Sequence, residues 1–496
     1  MQEVDRTRMV PWAVLALTLV ALGAVALRPN LSPFWADEAY TVLAVRARSW
    51  ADLLLVNLRN EETPPLYFAI AHLWAKLWAD SHEPMLRLLS TLSFAGCVPL
   101  TALIGARLWS PKVGLGGALL LAVNPFALYY AEEARAYAVA TLLGLIVAFA
   151  AIAYVQRPGP RWWAVVTLGG AALCYTNYFG GLTLAGLALA AGVLLLTTAR
   201  RNGGRRAWLA LAGWVAAQAL ILLLLLPWLP AVRYQIETAA ATASPTSQNM
   251  GLQYGLGLLA LVVAFPDGGT LSMLLLALAL LLLPLSVVWG TWRASVEQRL
   301  WLAGGLLVPT VATLLVLKGD EQFVPRYLLL AQPWLLLLIA ATALTPPWRR
   351  PALRPVGPTL LVLLAVGGLA YWLTMAPNPR RMGGWHELAA QVAAQAHPGD
   401  AVFFAPPWAR APFVVQYDGP PLTLYGAESF AGYYYDGGRP FAANEFELAA
   451  LQRQLARGGR AWVVWDKIYG VRPQGLDGLT VEETRYGSTG LLLVLP

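Results

Sequence analysis

The stretch LSMLLLALALLLLPLSVVWGT at 271–291 runs from end to end without a charged side chain. A bilayer core takes about 20 residues of helix to cross, so such a run constrains the fold before any other feature does. Comparable runs recur along the chain, among them 357–375. They are continuously apolar rather than alternating. That pattern selects helices over a barrel, because each segment must satisfy its own backbone polar groups in lipid. A soluble domain carries about a quarter charged residues. Here 12% of residues are charged and 58% hydrophobic, and the mean hydropathy is +0.56. The expected class is an α-helical polytopic membrane protein.

The first run reads as a retained span rather than a cleaved signal. Its apolar part is long, and Arg28-Pro29 makes a poor small-residue cleavage site. The formal net charge of +8 does not point to nucleic acid, since the basic residues collect in short loops between apolar runs. Cys97 and Cys174 both lie inside apolar runs and read as small buried hydrophobes.

Those basic loops set the topology. Arg6 and Arg8 precede the first span. Arg107/Lys112, Arg157/Arg161, Arg200/Arg201/Arg205/Arg206, Arg293/Arg299 and Arg349/Arg350/Arg354 follow. Taking each as cytoplasmic predicts eleven crossings, near 9–28, 85–106, 113–130, 137–155, 162–177, 179–199, 208–230, 271–291, 300–317, 326–344 and 357–375. A further short span with 252–265 would raise the count toward thirteen. PPLYFAIAHLWAKLW (64–78) must then not cross. It reads as a helix at the outer surface, with His72, Trp74 and Trp78 as interfacial side chains.

The character changes near residue 376, which divides a transmembrane domain, 1–375, from a C-terminal extracytoplasmic α/β domain, 376–496. In the latter, a helix at 385–396 precedes the strand AVFFA (401–405). A second helix near 443–457 precedes AWVVW (461–465), and the chain ends on the strand LLLVL. No internal repeat is evident.

This topology gathers the unusual charges on the outer side: Asp37 and Glu38 after the first span, Glu61 and Glu62 before the surface helix, YYAEEARAY (129–137), and KGDEQFVPRY (318–327). Each has a plain reading. Asp37 and Glu38 suit the first turn of a helix starting at Ala36. Glu133 and Arg135 suit a local ion pair, and Arg326 a snorkelling anchor. Their convergence at one membrane surface carries more than any one of them, because ionisable groups at that depth are expensive. A carboxylate there can take the proton from an attacking hydroxyl or amine. Arginine offers a planar fork of donors matched to phosphate. A sugar joined to a lipid phosphate departs as a charged phosphate, so one base suffices, unlike the carboxylate pair of glycoside hydrolysis.

WADEAY in the first loop, EETPPLYF before the surface helix, EARAY at 133–137, PRYL at 325–328, and GGWHELAAQVAA with PGDAVFF at the start of the C-terminal domain occur in an order that covers nearly the whole chain. In that order the sequence resembles the membrane glycosyltransferases of the GT-C fold, in the bacterial branch similar to protein O-mannosyltransferases and the lipid A aminoarabinose transferase. The resemblance implies a polyprenyl-phosphate-linked sugar donor and inverting transfer of a hexosyl or pentosyl group, outside the bacterial plasma membrane, to a lipid, glycan or protein acceptor. It implies that Asp37, with Glu38 beside it, is catalytic and that Asp37 is the general base. Arg326 would hold the donor phosphate, and Arg135 would be a second arginine of the polar site. Glu133 and Tyr137 share its motif, and Glu62 and Tyr327 lie within the other two. Some relatives carry a lysine or histidine where this chain has Thr63, which shifts a phosphate contact to Lys318 or Lys76. No cofactor is expected. A divalent cation near Asp37, Glu38 and the 132–133 pair is compatible with the carboxylates, though a phosphate leaving group does not need one. Membrane lipids are the expected surroundings, and no nucleic acid is.

Three other readings compete. A transporter or flippase of a lipid-linked sugar would use acids within the spans and often repeated halves; the spans here are nearly free of acids. A glycan polymerase or ligase would carry its large loop late in the chain. A sensor would use the outer domain as a receptor.

Overall fold

The computed structural model describes residues 11–29, 32–60, 63–79, 82–242, 269–316, 325–345, 354–375, 384–405, 409–425, 448–466, 479–486 and 489–495. In chain order the first helices are α1 (Pro11–Leu27), α2 (Ala36–Val45), α3 (Trp50–Asn60), α4 (Leu66–Trp78), α5 (Glu83–Leu108), α6 (Pro111–Ala122), α7 (Pro125–Ala131) and α8 (Tyr137–Gln156). The chain divides into two compact units. One comprises Met1–Pro29, Arg87–Leu229 and Pro245–Met375; the other comprises Asn30–Leu86, Pro230–Ser244 and Ala376–Pro496.

The first unit is a bundle of apolar helices, and helical structure underlies each of the eleven expected crossings, in one piece or several. Among the described residues 8 helices are long and apolar enough to span a membrane, or 9 if α6 and α7 count as one bent span. α1 and Pro160–Thr176 have 17 residues each and are shorter. Segment 252–265 lies outside the described residues.

Burial sorts these helices into centre and periphery. Gln332–Leu344 is buried along nearly its whole length, as a helix surrounded by others must be. Arg205–Leu225 buries only Ala210, Trp214, Ala217 and Ile221, one stripe at helical spacing, and leaves its other faces apolar and open. Small residues set the closest approach: a Cβ on Gly186 would run into the Gly304 backbone, so helix Tyr178–Asn202 meets its neighbour through bare main chain.

The expected single span at 113–130 is instead two helices, α6 and α7, bent by 61°. The sequence supplies the cause. Asn124 leaves the helical conformation and caps α7 through Oδ1, which accepts from the Ala127 N–H at 3.0 Å. Pro125 follows at the first helical position, where its missing N–H costs nothing.

The second unit contains a five-stranded sheet in the order β2–β1–β3–β5–β4, with β1 Ala401–Ala405, β2 Thr423–Tyr425, β3 Ala461–Asp466, β4 Thr480–Tyr486 and β5 Thr489–Leu495. β1 runs parallel to β2 and β3, and β5 antiparallel to β3 and β4. Helices Trp385–Gln395 and Arg410–Gln416 cover one face through Leu388, Val392 and Phe413. Leu451 and Leu455 of Leu448–Ala456 cover the other. β1 is therefore apolar on both sides and shows no alternation. Beside it, the Asp400 carboxylate accepts from Arg460 at 2.6 Å, the Trp462 indole at 3.1 Å and the His397 N–H at 3.0 Å. Burial works to raise the Asp400 pKa, but the hydrogen bonds from Arg460, His397 and Trp462 outweigh it and hold the carboxyl below its ordinary range.

The same unit takes in the first long loop. α2 packs against helix Arg410–Gln416 and against α4. The Arg46 guanidinium donates to the Val415 carbonyl at 3.2 Å, and the Gln416 amide donates to Glu83 at 3.0 Å. Residues 30–86, read from the sequence as part of the transmembrane domain, thus cluster with the C-terminal sheet.

Candidate active site

The expected site residues fall into two groups, one in each unit. In the second unit, Trp35 is extended (φ −84°, ψ 174°) and its carbonyl accepts from the Ala39 N–H at 2.9 Å. α2 starts there, so Asp37 and Glu38 occupy its first turn, where free N–H groups favour anions. The two acids differ in exposure. Asp37 is half-buried and Glu38 is 0% exposed. A helix dipole explains an acid at a helix start; it does not explain putting one wholly inside the protein.

His72 was expected at the membrane interface and is instead buried. Its Nδ1 lies 2.7 Å from the Val45 carbonyl at the end of α2, and its ring meets Trp50 edge-on at 5.2 Å. The open main-chain carbonyl at a helix C-terminus provides a partner that no apolar surface would. α4 keeps an exposed face of Leu73, Leu77 and Trp78, with Lys76 also exposed. The Thr63 carbonyl accepts from the Asn57 amide at 2.9 Å. Glu61, Glu62 and Lys318 lie outside the described residues.

The second group is built on the bend. α7 ends at Ala131, and the N–H groups of Glu132 and Glu133 reach back to the Tyr129 and Tyr130 carbonyls at 3.3 and 3.4 Å. The Arg135 N–H donates to the Glu133 carbonyl at 2.7 Å, and α8 starts at Tyr137. α5 pins this link from the side: the Thr91 hydroxyl donates to the Ala131 carbonyl at 2.9 Å and that of Ser90 to the Arg135 carbonyl at 3.4 Å. Glu132, Glu133, Arg135 and Tyr137 are all buried.

Arg326 opens the 3₁₀ helix Pro325–Ala331. Its guanidinium lies 5.6 Å from the ring centre of Tyr137 and 5.9 Å from that of Tyr327, within cation–π range. Tyr327 is stacked on Phe179 at 4.5 Å, and Tyr137 meets Tyr130 edge-on at 5.4 Å. Residues almost two hundred positions apart in the chain thus form one basic, phenol-lined group. Arg326 and Tyr327 are only partly buried, so one side of it stays open. A planar guanidinium among tyrosine rings suits an anion with several acceptor oxygens, such as a phosphate.

The sequence reading passed over Tyr130 and Arg87. Arg87 is 4% exposed and sits one turn before Thr91 on α5. A lone arginine inside an apolar run was the signal that could have found it. No group of three or more His, Cys, Asp or Glu side chains able to hold a metal occurs among the described residues.

No protein-family model matches this sequence. No curated protein matches it either. Solved structures do. ArnT from Cupriavidus metallidurans, bound to undecaprenyl phosphate, is 14% identical and matches over 98% of this chain and 97% of its own, with a TM-score of 0.62. The oligosaccharyltransferase of Archaeoglobus fulgidus, tethered to an acceptor peptide, matches over 92% of this chain and 69% of its own at 12% identity and a TM-score of 0.51. The mycobacterial arabinofuranosyltransferase AftD matches over 98% of this chain and 40% of its own, at 15% identity and a TM-score of 0.51. The chain has the fold these membrane glycosyltransferases share, the GT-C fold.

Proposed function

We propose that this protein transfers a sugar from a polyprenyl-phosphate-linked donor to an acceptor at the outer face of the membrane. The observation that carries the reading is the arginine–tyrosine group of Arg326, Tyr137 and Tyr327. It occurs in a chain that matches, over nearly its whole length, a structure holding undecaprenyl phosphate. In the step proposed, Asp37 takes the proton from the acceptor hydroxyl or amine as that atom attacks the anomeric carbon. The bond from that carbon to the phosphate oxygen breaks, and the polyprenyl phosphate leaves with the electron pair. Arg326 and Arg135 bind the phosphate and stabilise the charge it gains. One displacement inverts the anomeric centre. The leaving group is already an anion, so the step requires neither a general acid nor a metal.

The test uses the purified full chain in lipid nanodiscs with a synthetic polyprenyl-phosphate sugar. Release of polyprenyl phosphate together with a glycosylated acceptor is expected. Movement of intact donor between leaflets of proteoliposomes, with no phosphate released, would instead establish a flippase. Orientation has its own check. A cysteine placed at Thr374 should react with an impermeant reagent added from outside cells, and one at Gly203 should not.

A further inference from the structure

From Ala134 to Ile236 the chain contains no aspartate or glutamate. That interval holds α8 and the helices Pro160–Thr176, Tyr178–Asn202 and Arg205–Leu225, which pack on one another. The Trp163 indole donates to the Gly213 carbonyl at 2.7 Å, and the Tyr175 hydroxyl to the Leu224 carbonyl at 2.9 Å. Helices Pro160–Thr176 and Arg205–Leu225 therefore run in the same sense, with both N-termini at one end. The Tyr154 hydroxyl, near the end of α8, donates to the Ala210 carbonyl at 2.9 Å and brings the last turn of α8 to that end as well. Arg157, Arg161, Arg200, Arg201, Arg205 and Arg206 collect there, all exposed. None of the six is ion-paired among the described residues.

Helix dipoles account for half of them. Arg157 follows the last residue of α8, and Arg200 and Arg201 lie in the last turn of Tyr178–Asn202, where cations are favoured. Arg161, Arg205 and Arg206 lie in first turns, at the end that favours anions. Gly159 and Gly204 precede those helices and supply no side-chain cap. Three cations and the open N–H groups of two helix starts thus share one place, and an anion there would satisfy both. The bond from Trp163 to Gly213 sets Arg161 level with Leu211. Its backbone is then about 12 Å from that of Arg206, at helical rise and ordinary helix spacing. Two arginine side chains cover that distance with one phosphate between them. The helix of Arg205 and Arg206 continues into Trp208, Leu209 and Val215, which are 46%, 58% and 59% exposed. A free anion would use only the basic part of this surface; an anion with an apolar body would use all of it. We propose that this end of the bundle binds anionic phospholipid, its headgroup phosphate on Arg161, Arg205 and Arg206 and its acyl chains along Trp208 and Leu209. Such binding is independent of the transfer reaction.

The test titrates the purified full chain in detergent with phosphatidylglycerol or with phosphatidylcholine and counts bound lipid by native mass spectrometry. Wild type is expected to retain phosphatidylglycerol selectively. Equal retention of the two lipids would overturn the proposal, whatever the variants do. Each arginine near an anionic lipid surface contributes roughly fivefold in affinity, so Arg205→Gln with Arg206→Gln should weaken phosphatidylglycerol binding roughly 25-fold. Unchanged selectivity in that variant would also overturn it. Arg205→Lys with Arg206→Lys keeps both charges and should stay closer to wild type than the glutamine variant does. Arg293→Gln with Arg299→Gln removes the same charge from side chains already engaged, over Trp289 and on the Thr291 and Trp292 carbonyls. An equal loss there would mean that net charge selects the lipid, and no site exists. sn-Glycerol 3-phosphate separates the lipid from its headgroup. Displacement of phosphatidylglycerol by an equimolar amount would assign the surface to a soluble phosphate and reject the phospholipid.

Discussion

Asp400 and Glu133 are both buried carboxylates, yet their surroundings have little in common. Asp400 has donors from Arg460, from Trp462 on β3 and from the His397 main chain, all within one small sheet domain. Those three directions admit one geometry, and the result is a rivet. Glu133 belongs to a short irregular link between two helices, with Glu132 and Arg135 in the same link and Tyr130 and Tyr137 on the helices that flank it, their rings 5.4 Å apart. Thr91 and Ser90 hold that link through its main-chain carbonyls. Fixing the backbone and gathering the ionisable side chains is how a protein prepares a place for a polar ligand. The first is charge that holds the fold; the second is charge that the proposed function assigns to the donor site.

The largest expected effect concerns Asp37. If it belongs with the chemical group, Asp37→Asn removes the basic oxygen at nearly constant size. Removing a positioned base commonly costs about 10²–10⁴-fold in rate. Turnover in folded, purified protein should fall by that much while donor affinity holds. Near-normal turnover would move Asp37 to the structural class, as a helix-end charge.

Asp400 tests the other class. Its folded pKa lies below the unfolded value, so the stability it contributes is present above the unfolded pKa, near 4, and is lost as pH falls through the folded one. Removing one partner of a buried, hydrogen-bonded pair costs about 3–5 kcal/mol. Asp400→Asn, which keeps some of the hydrogen bonds, should cost less than that. Hydrogen exchange of β1 and β3, corrected for intrinsic rates, should show wild type converging on the variant below pH 4. A constant gap between them down to pH 2 would contradict the rivet.

Arg326 should give a smaller change, in binding rather than turnover. Hydrogen bonds to charged groups are worth about 1.5–3 kcal/mol, so Arg326→Ala should weaken donor affinity by about 10- to 100-fold. Arg326→Lys keeps the charge without the fork and should fall between. Unchanged affinity in both, measured with a labelled polyprenyl phosphate, would leave Arg326 as an anchor at a helix end.

The same contrast explains what could be read in advance. Apolar runs are local signals, and the helices that underlie the expected crossings follow from them, as do the strands 401–405 and 461–465 and the start of α2 at Ala36. EEAR at 132–135 was legible because its members are neighbours in sequence. Asp400 and Arg460 are not, and nothing near either residue announces the other. α3 was missed although Leu53 and Val56 are buried and Leu54 and Leu55 exposed; a short run of leucines hides its own amphipathic spacing. β4, with TVEETRY, is a polar edge strand paired on one side only, which conceals it among loop residues. The merging of residues 30–86 with the C-terminal sheet depended on long-range contacts such as Arg46 with Val415, which no local pattern encodes.

Asn124 offers the finest test, because it acts on the group at 129–137 without belonging to it. Its Oδ1 does two things, capping α7 through the Ala127 N–H and accepting from the Gln332 amide at 2.8 Å. The first sets the bend that aims Tyr129 and Tyr130. The second ties the bend to the helix that follows the Arg326 segment, so one oxygen couples the two stretches forming the phenol-lined site. Asn124→Ala loses both, and loss of a cap alone costs about 1 kcal/mol. Asn124→Ser keeps a capping oxygen but is too short to hold Gln332. If the bend positions the site, Asn124→Ala should weaken donor binding several-fold, and Asn124→Ser should recover the stability without fully recovering the binding. Equal recovery of both would mean that the cap suffices and the tie to Gln332 is incidental. Loss of stability with donor affinity intact would show that the 132–137 link keeps its shape without the bend, held by Ser90 and Thr91 alone.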